Sequence, residues 1–163
     1  MSIASKTLII LRHAHRNKSE GLDEDNGLSK KGQGQAKKIK KHFLKIFRDE
    51  KKTKPKFFSS PKKRCLETIQ GIAESQKTEV SLSPNLDEGG NIAGKVAALM
   101  KSFESEKAPV IVLCSHGDVI PFLTQKLIGL AIPLDKGGWI QLKQIDGEFE
   151  LEWLYQNFDA ERF

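Results

Sequence analysis

Cysteine is nearly absent from this 163-residue chain, with Cys65 and Cys114 the only two. Two thiols are too few for a disulfide scaffold, or for a zinc site with metal-ligand spacing. Cys65 falls in a helical pattern and Cys114 in an apolar strand pattern, which suits reduced, buried thiols. No stretch approaches the roughly 18 consecutive apolar residues needed to cross a bilayer, so no membrane partner is expected. No charged, apolar, small-residue leader opens the sequence, and a cytoplasmic location is the expectation. Aromatic residues are not interleaved with the basic ones as a stacking platform, so no nucleic-acid partner is expected either. Internal repeats and low-complexity tracts are missing.

What is present is an ordinary globular composition, 38% apolar and 29% charged, with a net charge of +6. The length suits one domain over residues 1–163, with one substantial core. Most of the basic excess lies between Lys30 and Arg64, in the pairs Lys30-Lys31, Lys37-Lys38, Lys40-Lys41, Lys51-Lys52 and Lys62-Lys63. A solvated helix face accounts for these lysines, and they could also steer a phosphorylated or acidic substrate.

Three stretches carry chemistry. Leu8 to Arg16 reads Leu-Ile-Ile-Leu-Arg-His-Ala-His-Arg, an apolar run that predicts a buried strand of a mostly parallel sheet with Arg12 and His13 at its carboxyl end. Ligands bind at that edge of open α/β sheets, because the loops diverge there. An imidazole beside a guanidinium suits a phosphoryl group: a neutral ring nitrogen can attack phosphorus while the arginine fork neutralises the oxygens. Near Val110, Val-Ile-Val-Leu-Cys-Ser-His-Gly-Asp-Val predicts a second buried strand ending at His116. Between them, Phe57-Phe58-Ser59-Ser60-Pro61 predicts a short strand running into a helix with Arg64 in its first turn, Ser60 as N-cap and Pro61 at the first helical position. If the sheet is parallel, these strand ends bring two histidines and two arginines into one cationic pocket.

The remaining elements follow from periodicity. Ala36, Ile39, Phe43 and Ile46 recur at helical spacing behind Ser29, and residues 17–27 read as a polar loop at the pocket rim. Val80 and Leu82 form a brief strand ended by Pro84. Ile92, Val96, Leu99, Met100 and Phe103 mark one helix, and Val119, Ile120, Leu123 and Leu127 another. Trp139 to Leu142 and Phe149 to Trp153 alternate with period two about Asp146-Gly147, a hairpin signal. The expected fold is a three-layer α/β/α sandwich, mostly parallel, with a C-terminal antiparallel hairpin on the sheet edge.

Arg12-His13-Ala14, Ser60-Pro61-x-x-Arg64-x-x-x-Thr68, Ser115-His116-Gly117 and Leu28-Ser29-x-x-Gly32-x-x-Gln35-Ala36 resemble, in order, the motifs of the histidine phosphatase superfamily, branch 1, with its phosphoglycerate-mutase-like fold. Ala14 is similar to the small phosphohistidine phosphatases, whereas Ser115-His116-Gly117-Asp118 looks more like the mutase and general phosphatase side. The resemblance implies His13 as nucleophile, its second ring nitrogen held by a backbone carbonyl in the following loop. It implies Arg12, Arg64 and a protonated His116 around the transferring phosphoryl group. The Gly117 amide is a further donor at the start of the next helix. A phosphohistidine would form on His13 and be hydrolysed by water, with no metal or other cofactor. An acidic residue should protonate the leaving oxygen, and Glu88 matches the pattern better than its neighbour Asp87. His15 could line the phosphate pocket or be a solvated loop residue, and His42 on the lysine-rich helix is given no role.

The expected activity is hydrolysis of phosphohistidine on a protein or of a small phosphomonoester, by a monomer or weak dimer. The short chain favours a phosphatase over a mutase, which must enclose its substrate against water. A non-catalytic phosphate-binding or scaffold member of the same fold is the alternative. A basic partner-binding module built on the lysine face is a third reading, and its affinity would fade at moderate salt.

Overall fold

Branched apolar residues build the middle of the molecule. The computed structural model describes residues 6–19, 21, 24–47 and 54–158. In chain order its elements are β1 (Lys6–Arg12), α1 (Lys30–Ile46), β2 (Lys56–Ser59), α2 (Lys63–Ser75), β3 (Val80–Leu82), α3 (Ile92–Ser105), β4 (Val110–Ser115), α4 (Ile120–Ile128), β5 (Trp139–Ile145) and β6 (Glu148–Tyr155). A single 3-10 turn, Pro84–Leu86, follows β3. All six strands join one sheet in the order β3-β2-β4-β1-β5-β6. The first four run parallel to one another, and β5 and β6 add as an antiparallel hairpin on β1. Among the described residues, no helix is long and apolar enough to cross a membrane.

The three layers follow from alternation along the strands. Ile9, Leu11 and Val112 face one side, where α1 contributes Ile39 and Phe43 and α2 contributes Ile69 and Ile72. Leu8, Ile10, Ile111 and Leu113 face the other, against Val96, Leu99 and Phe103 of α3 and Ile120 and Leu123 of α4. Handedness accounts for the split: successive crossovers from β1 to β2 to β3 move one way along the sheet, and the next, from β3 to β4, comes back. Right-handed crossovers that reverse direction must pass over opposite faces. Neighbouring strands β1 and β4 therefore send their following loops to opposite sides, which opens a crevice at their shared carboxyl edge. Both cysteines are buried and free.

Several local starts differ from the sequence reading. Ser29 does cap α1, its hydroxyl accepting from the Gly32 amide at 3.1 Å. On that helix, however, Gln35 is buried with Ile39 and Phe43, whereas Ala36 is half-buried and Ile46 exposed. Ser60 is not the cap of α2: Lys62 holds that position without a side-chain bond, and the helix starts two residues beyond Pro61. The reason is that the Ser60 amide still donates to the Cys114 carbonyl at 3.0 Å, which keeps residue 60 in line with the sheet. Gly117 likewise precedes its helix, since α4 starts at Ile120 after a turn held by bonds to the His116 carbonyl. The hairpin turns through Asp146 and Gly147, both at positive φ (52° and 83°), the type I′ geometry that matches strand twist.

Gly32 marks the closest approach between α1 and the loop after β1. A Cβ there would collide with the His15 carbonyl oxygen, which also accepts from the Ser29 amide at 3.0 Å. Backbone cannot swing aside as a flexible side chain can. Gly32→Ala is therefore expected to cost about 2–3 kcal/mol, read as a lower urea midpoint with unchanged slope. A midpoint equal to wild type would show that this approach is not tight.

Candidate active site

The crevice collects residues from three adjacent strand ends. In register, Arg12 lies opposite Ser115, and Ser59 opposite Cys114. Just past those positions come His13, Ser60 and His116, with Arg64 one step into α2. His13, Arg64 and His116 are all almost fully buried. The rings of His13 and His116 lie 5.4 Å apart between centroids, tilted by 58°.

His13 is fixed by its surroundings. Its Nδ1 donates to the Ala14 carbonyl at 2.8 Å, the backbone bond expected from the sequence. Its main chain is pinned at both ends, the amide to the Ser115 carbonyl at 3.1 Å and the carbonyl to the Gly137 amide at 3.0 Å. The Ala14 amide in turn donates to Thr68 Oγ1 at 2.9 Å, which ties the loop to α2. Burial pushes the His13 pKa down from 6.5 to about 3; the Ala14 bond opposes this, and His116, Arg64 and Arg12 lower it further. At neutral pH the ring is uncharged, with Nδ1 engaged, and Nε2 is the nitrogen with a free lone pair.

Around it stand the cations. Arg64 Nη2 is 3.3 Å from His116 Nδ1 and 2.7 Å from Glu88 Oε1. Arg12 Nη1 donates to the Leu134 carbonyl at 2.9 Å. Among the described residues, neither the Arg12 Nε nor the Arg64 Nε has a hydrogen-bond partner, although both are buried. Orphaned buried donors of this kind call for an acceptor, and the oxygens of a phosphoryl group supply it. Gly117 leaves room for Arg12, since a Cβ at that position would sit 2.9 Å from the guanidinium carbon.

The acidic loop after β3 reaches this centre. Glu88 Oε2 lies 3.6 Å from His116 Nδ1, and Asp87 Oδ1 lies 3.7 Å from His116 Nε2. Desolvation alone would raise the Glu88 pKa, but the Arg64 hydrogen bond and charge, then His116 and Lys62, bring it below the usual value. Without phosphate, Glu88 is thus an ionised carboxylate seated on Arg64. Three anchors hold the loop: Ser115 Oγ donates to the Leu86 carbonyl, the Gly89 amide to Asp118 Oδ2, and Lys95 Nζ to the carbonyls of Asp87 and Gly89.

Some of these residues were not anticipated. Ser60 Oγ, expected to cap a helix, sits 2.8 Å from His116 Nε2 and 3.4 Å from Asp87 Oδ1. Asp118 and Lys95 carry no local signal of their role. The Gly137-Gly138 pair was a legible hint of close backbone approach: Gly137 adopts φ 77° and packs against Gln35, whose Oε1 accepts from the His15 amide at 2.8 Å. His15 Nδ1 bonds Ser29 Oγ at 2.7 Å, so it is not a bare loop histidine. His42 packs among the rings of Trp139, Tyr155 and Phe158. The rim loop 17–27 lies partly outside the described residues. Its base closes where Arg16 bridges to Leu28, and Asp25 Oδ1 accepts from the Lys63 amide at 3.0 Å, at the start of α2.

A neutral histidine ringed by guanidiniums, with a carboxylate at hand, on a sheet of this topology defines a class, the hydrolases of phosphoric monoesters. Over residues 8–106 the sequence matches the model of one family, and the chain belongs to the histidine phosphatase superfamily (branch 1). That match ends before β4, so His116 joins the site by geometry. No curated protein sequence matches the chain significantly. Among solved structures, a mycobacterial glucosyl-3-phosphoglycerate phosphatase bound to inorganic phosphate superposes with a TM-score of 0.74 at 16% identity, covering 96% of this chain and 100% of the other. A phosphoserine phosphatase from Entamoeba histolytica, in complex with 3-phosphoglyceric acid, gives 0.70 at 20% identity, covering 93% and 98%. At these identities the likeness is one of fold.

Proposed function

We propose that the protein is a metal-independent phosphatase that hydrolyses phosphohistidine or phosphomonoester substrates through a covalent phosphohistidine on His13. The observation that carries this reading is the state of His13: uncharged, held at Nδ1 by Ala14, and set among Arg12, Arg64 and His116.

In the first step the Nε2 lone pair attacks phosphorus, the P–N bond forms, and the bond to the leaving atom breaks with its electrons departing on that atom. Arg12, Arg64 and an N–H of His116 hold the equatorial oxygens, a preorganised arrangement that favours the transition state electrostatically. Substrate binding also changes Glu88. A phosphoryl dianion that takes over Arg64 removes the partner that keeps this carboxyl ionised, and adds negative charge beside it. Both effects raise the Glu88 pKa, so the residue picks up a proton when it is needed to protonate an alkoxide leaving group. In the second step water attacks phosphorus, the carboxylate takes its proton, and inorganic phosphate departs from regenerated His13.

Chelator-treated protein assayed with para-nitrophenyl phosphate, an alkyl phosphate and a phosphohistidine protein tests the reading. Glu88→Gln is expected to lower alkyl phosphate turnover by about 10²–10³-fold, as loss of a general acid does, and to spare phosphohistidine, whose imidazole leaves without a proton from the enzyme. The same selective loss in Asp87→Asn, with Glu88→Gln active, would transfer the proton to Asp87. Binding of vanadate with no turnover of any substrate would support the scaffold reading.

A further inference from the structure

A group of cations on the outer side of Arg12 has no part in the chemistry above. Arg12, His15, Lys31 and Lys136 line a cavity of about 380 Å³, in which Asp135 is the one acidic residue among those described. Lys18 lies against Lys136. Burial lowers the Lys136 pKa first, then Lys18, then Arg12 and Arg16. Burial likewise lowers that of His15, followed by Lys136, Lys31 and Lys18. Among the described residues, no ion pair engages Lys18, Lys31 or Lys136. Like charges gathered in excess of the single Asp135 carboxylate repel, and an anion placed among them turns that repulsion into binding energy. Arg12 connects this cavity to the phosphoryl pocket: one of its nitrogens is tied to Leu134, its Nε is orphaned, and its guanidinium lies against Gly117.

We propose that Lys18, Lys31 and Lys136 form a second anion subsite beside Arg12, which selects small phosphate esters bearing another anionic group, phosphate or carboxylate. This names the substrate class of the phosphatase site and rests on that reading. The cavity is of the size that takes a small ligand. An ester bound with its phosphoryl group at His13 places its second anion in the cavity, and Arg12 serves both groups.

The test compares propyl phosphate with 3-phosphooxypropanoate and with bisphosphates of alkane diols of two to six carbons, using wild type and the Lys18→Gln/Lys136→Gln variant. Calorimetry with the corresponding alkane bisphosphonates, which cannot be hydrolysed, supplies a readout independent of turnover. Wild type is expected to favour at least one bis-anionic ester over propyl phosphate by about 10- to 100-fold in kcat/KM, the range that charge-assisted contacts give. The variant should lose this preference and keep its activity on propyl phosphate. Whether the carboxylate or the second phosphate is preferred identifies the source of the anion. Equal kcat/KM across the series, a preference that survives in the variant, or a lysine-dependent preference seen only with an acidic phosphopeptide would overturn the proposal. Hydrolysis of every ester without lysine dependence would remove the subsite and leave the phosphatase. Lysine-dependent bisphosphonate binding with no hydrolysis at all would do the reverse.

Discussion

His13→Ala should abolish turnover while leaving phosphate or vanadate bound within severalfold of wild-type affinity. The chemical step is expected to fall by about 10⁴-fold or more, because removal of a nucleophile leaves only positioning and electrostatics. Binding persists because Arg12, Arg64 and His116 remain, with two orphaned Nε donors still in need of an acceptor. Rapid acid-free quenching of wild type with labelled substrate should trap a phosphoenzyme that is labile in acid, and the variant should show none. Turnover comparable to wild type, or a phosphoenzyme persisting without His13, would exclude this residue as nucleophile.

The same variant carries a stability signature with a fixed sign. In the fold His13 has a pKa of about 3, against 6.5 ordinarily. Above pH 6.5 neither state takes up the proton and the residue adds no pH dependence. As pH falls from 6.5 toward 3, the unfolded chain binds a proton that the folded chain refuses, and stability is lost over that window. His13→Ala removes this loss. Its stability in phosphate-free buffer should therefore decline less steeply than that of wild type between those pH values, measured by urea unfolding at each pH. Parallel curves would mean that His13 is as easily protonated in the fold as outside it.

Arg64→Met should cost about 10²–10³-fold in kcat/KM, the effect of removing one preorganised donor from a developing charge. It is expected to do so without loss of stability. The guanidinium is almost wholly buried, lacks a partner for its Nε, and lies beside His116. The carboxylate paired with it, Glu88, is 47% exposed, so water weakens the pair. Removing one partner of a buried pair is destabilising when it strands the other charge away from water, but Glu88 is exposed enough to be solvated, and Arg64 no longer has its own desolvation to offset. Thermal unfolding without phosphate should give a Tm at or above that of wild type, whereas the rise in Tm that phosphate confers on wild type should be largely lost. A variant that unfolds several degrees earlier would show that Arg64 serves the fold as well as the site. Arg64→Lys should not rescue activity, since an ammonium cannot reproduce the planar fork.

Much of the centre was legible from local sequence, because the loops that carry it are short and each follows a strand with an unmistakable apolar run. Leu8–Leu11 and Val110–Cys114 place Arg12, His13 and His116 at strand ends, whatever the rest of the chain does. The backbone bond to His13 Nδ1 was foreseeable for the same reason, its acceptor being the next residue. Ser60 was misread because a serine before proline and a helix is a good cap by local rules. Its actual partner, His116, lies 56 residues on, and only the parallel pairing of β2 with β4 brings them together. The apolar periodicity that marked Ala36 does not register a polar residue such as Gln35, which is the buried one. Its side chain is buried because the His15 amide needs an acceptor there.

The sequence by itself determined the elements, their order along the chain, and which residue types stand at the sheet's carboxyl edge. Those follow from steric preference and periodicity among near neighbours, which any short window records. Only the tertiary structure decided what those residues are chemically. It made His13 neutral by burying it beside two arginines, seated Glu88 on Arg64 as an ionised carboxylate, and gathered Lys31 and Lys136, with Lys18 against the latter, beside Arg12. Desolvation and Coulomb energy depend on distance in space, and the groups that set them here come from segments far apart in the chain.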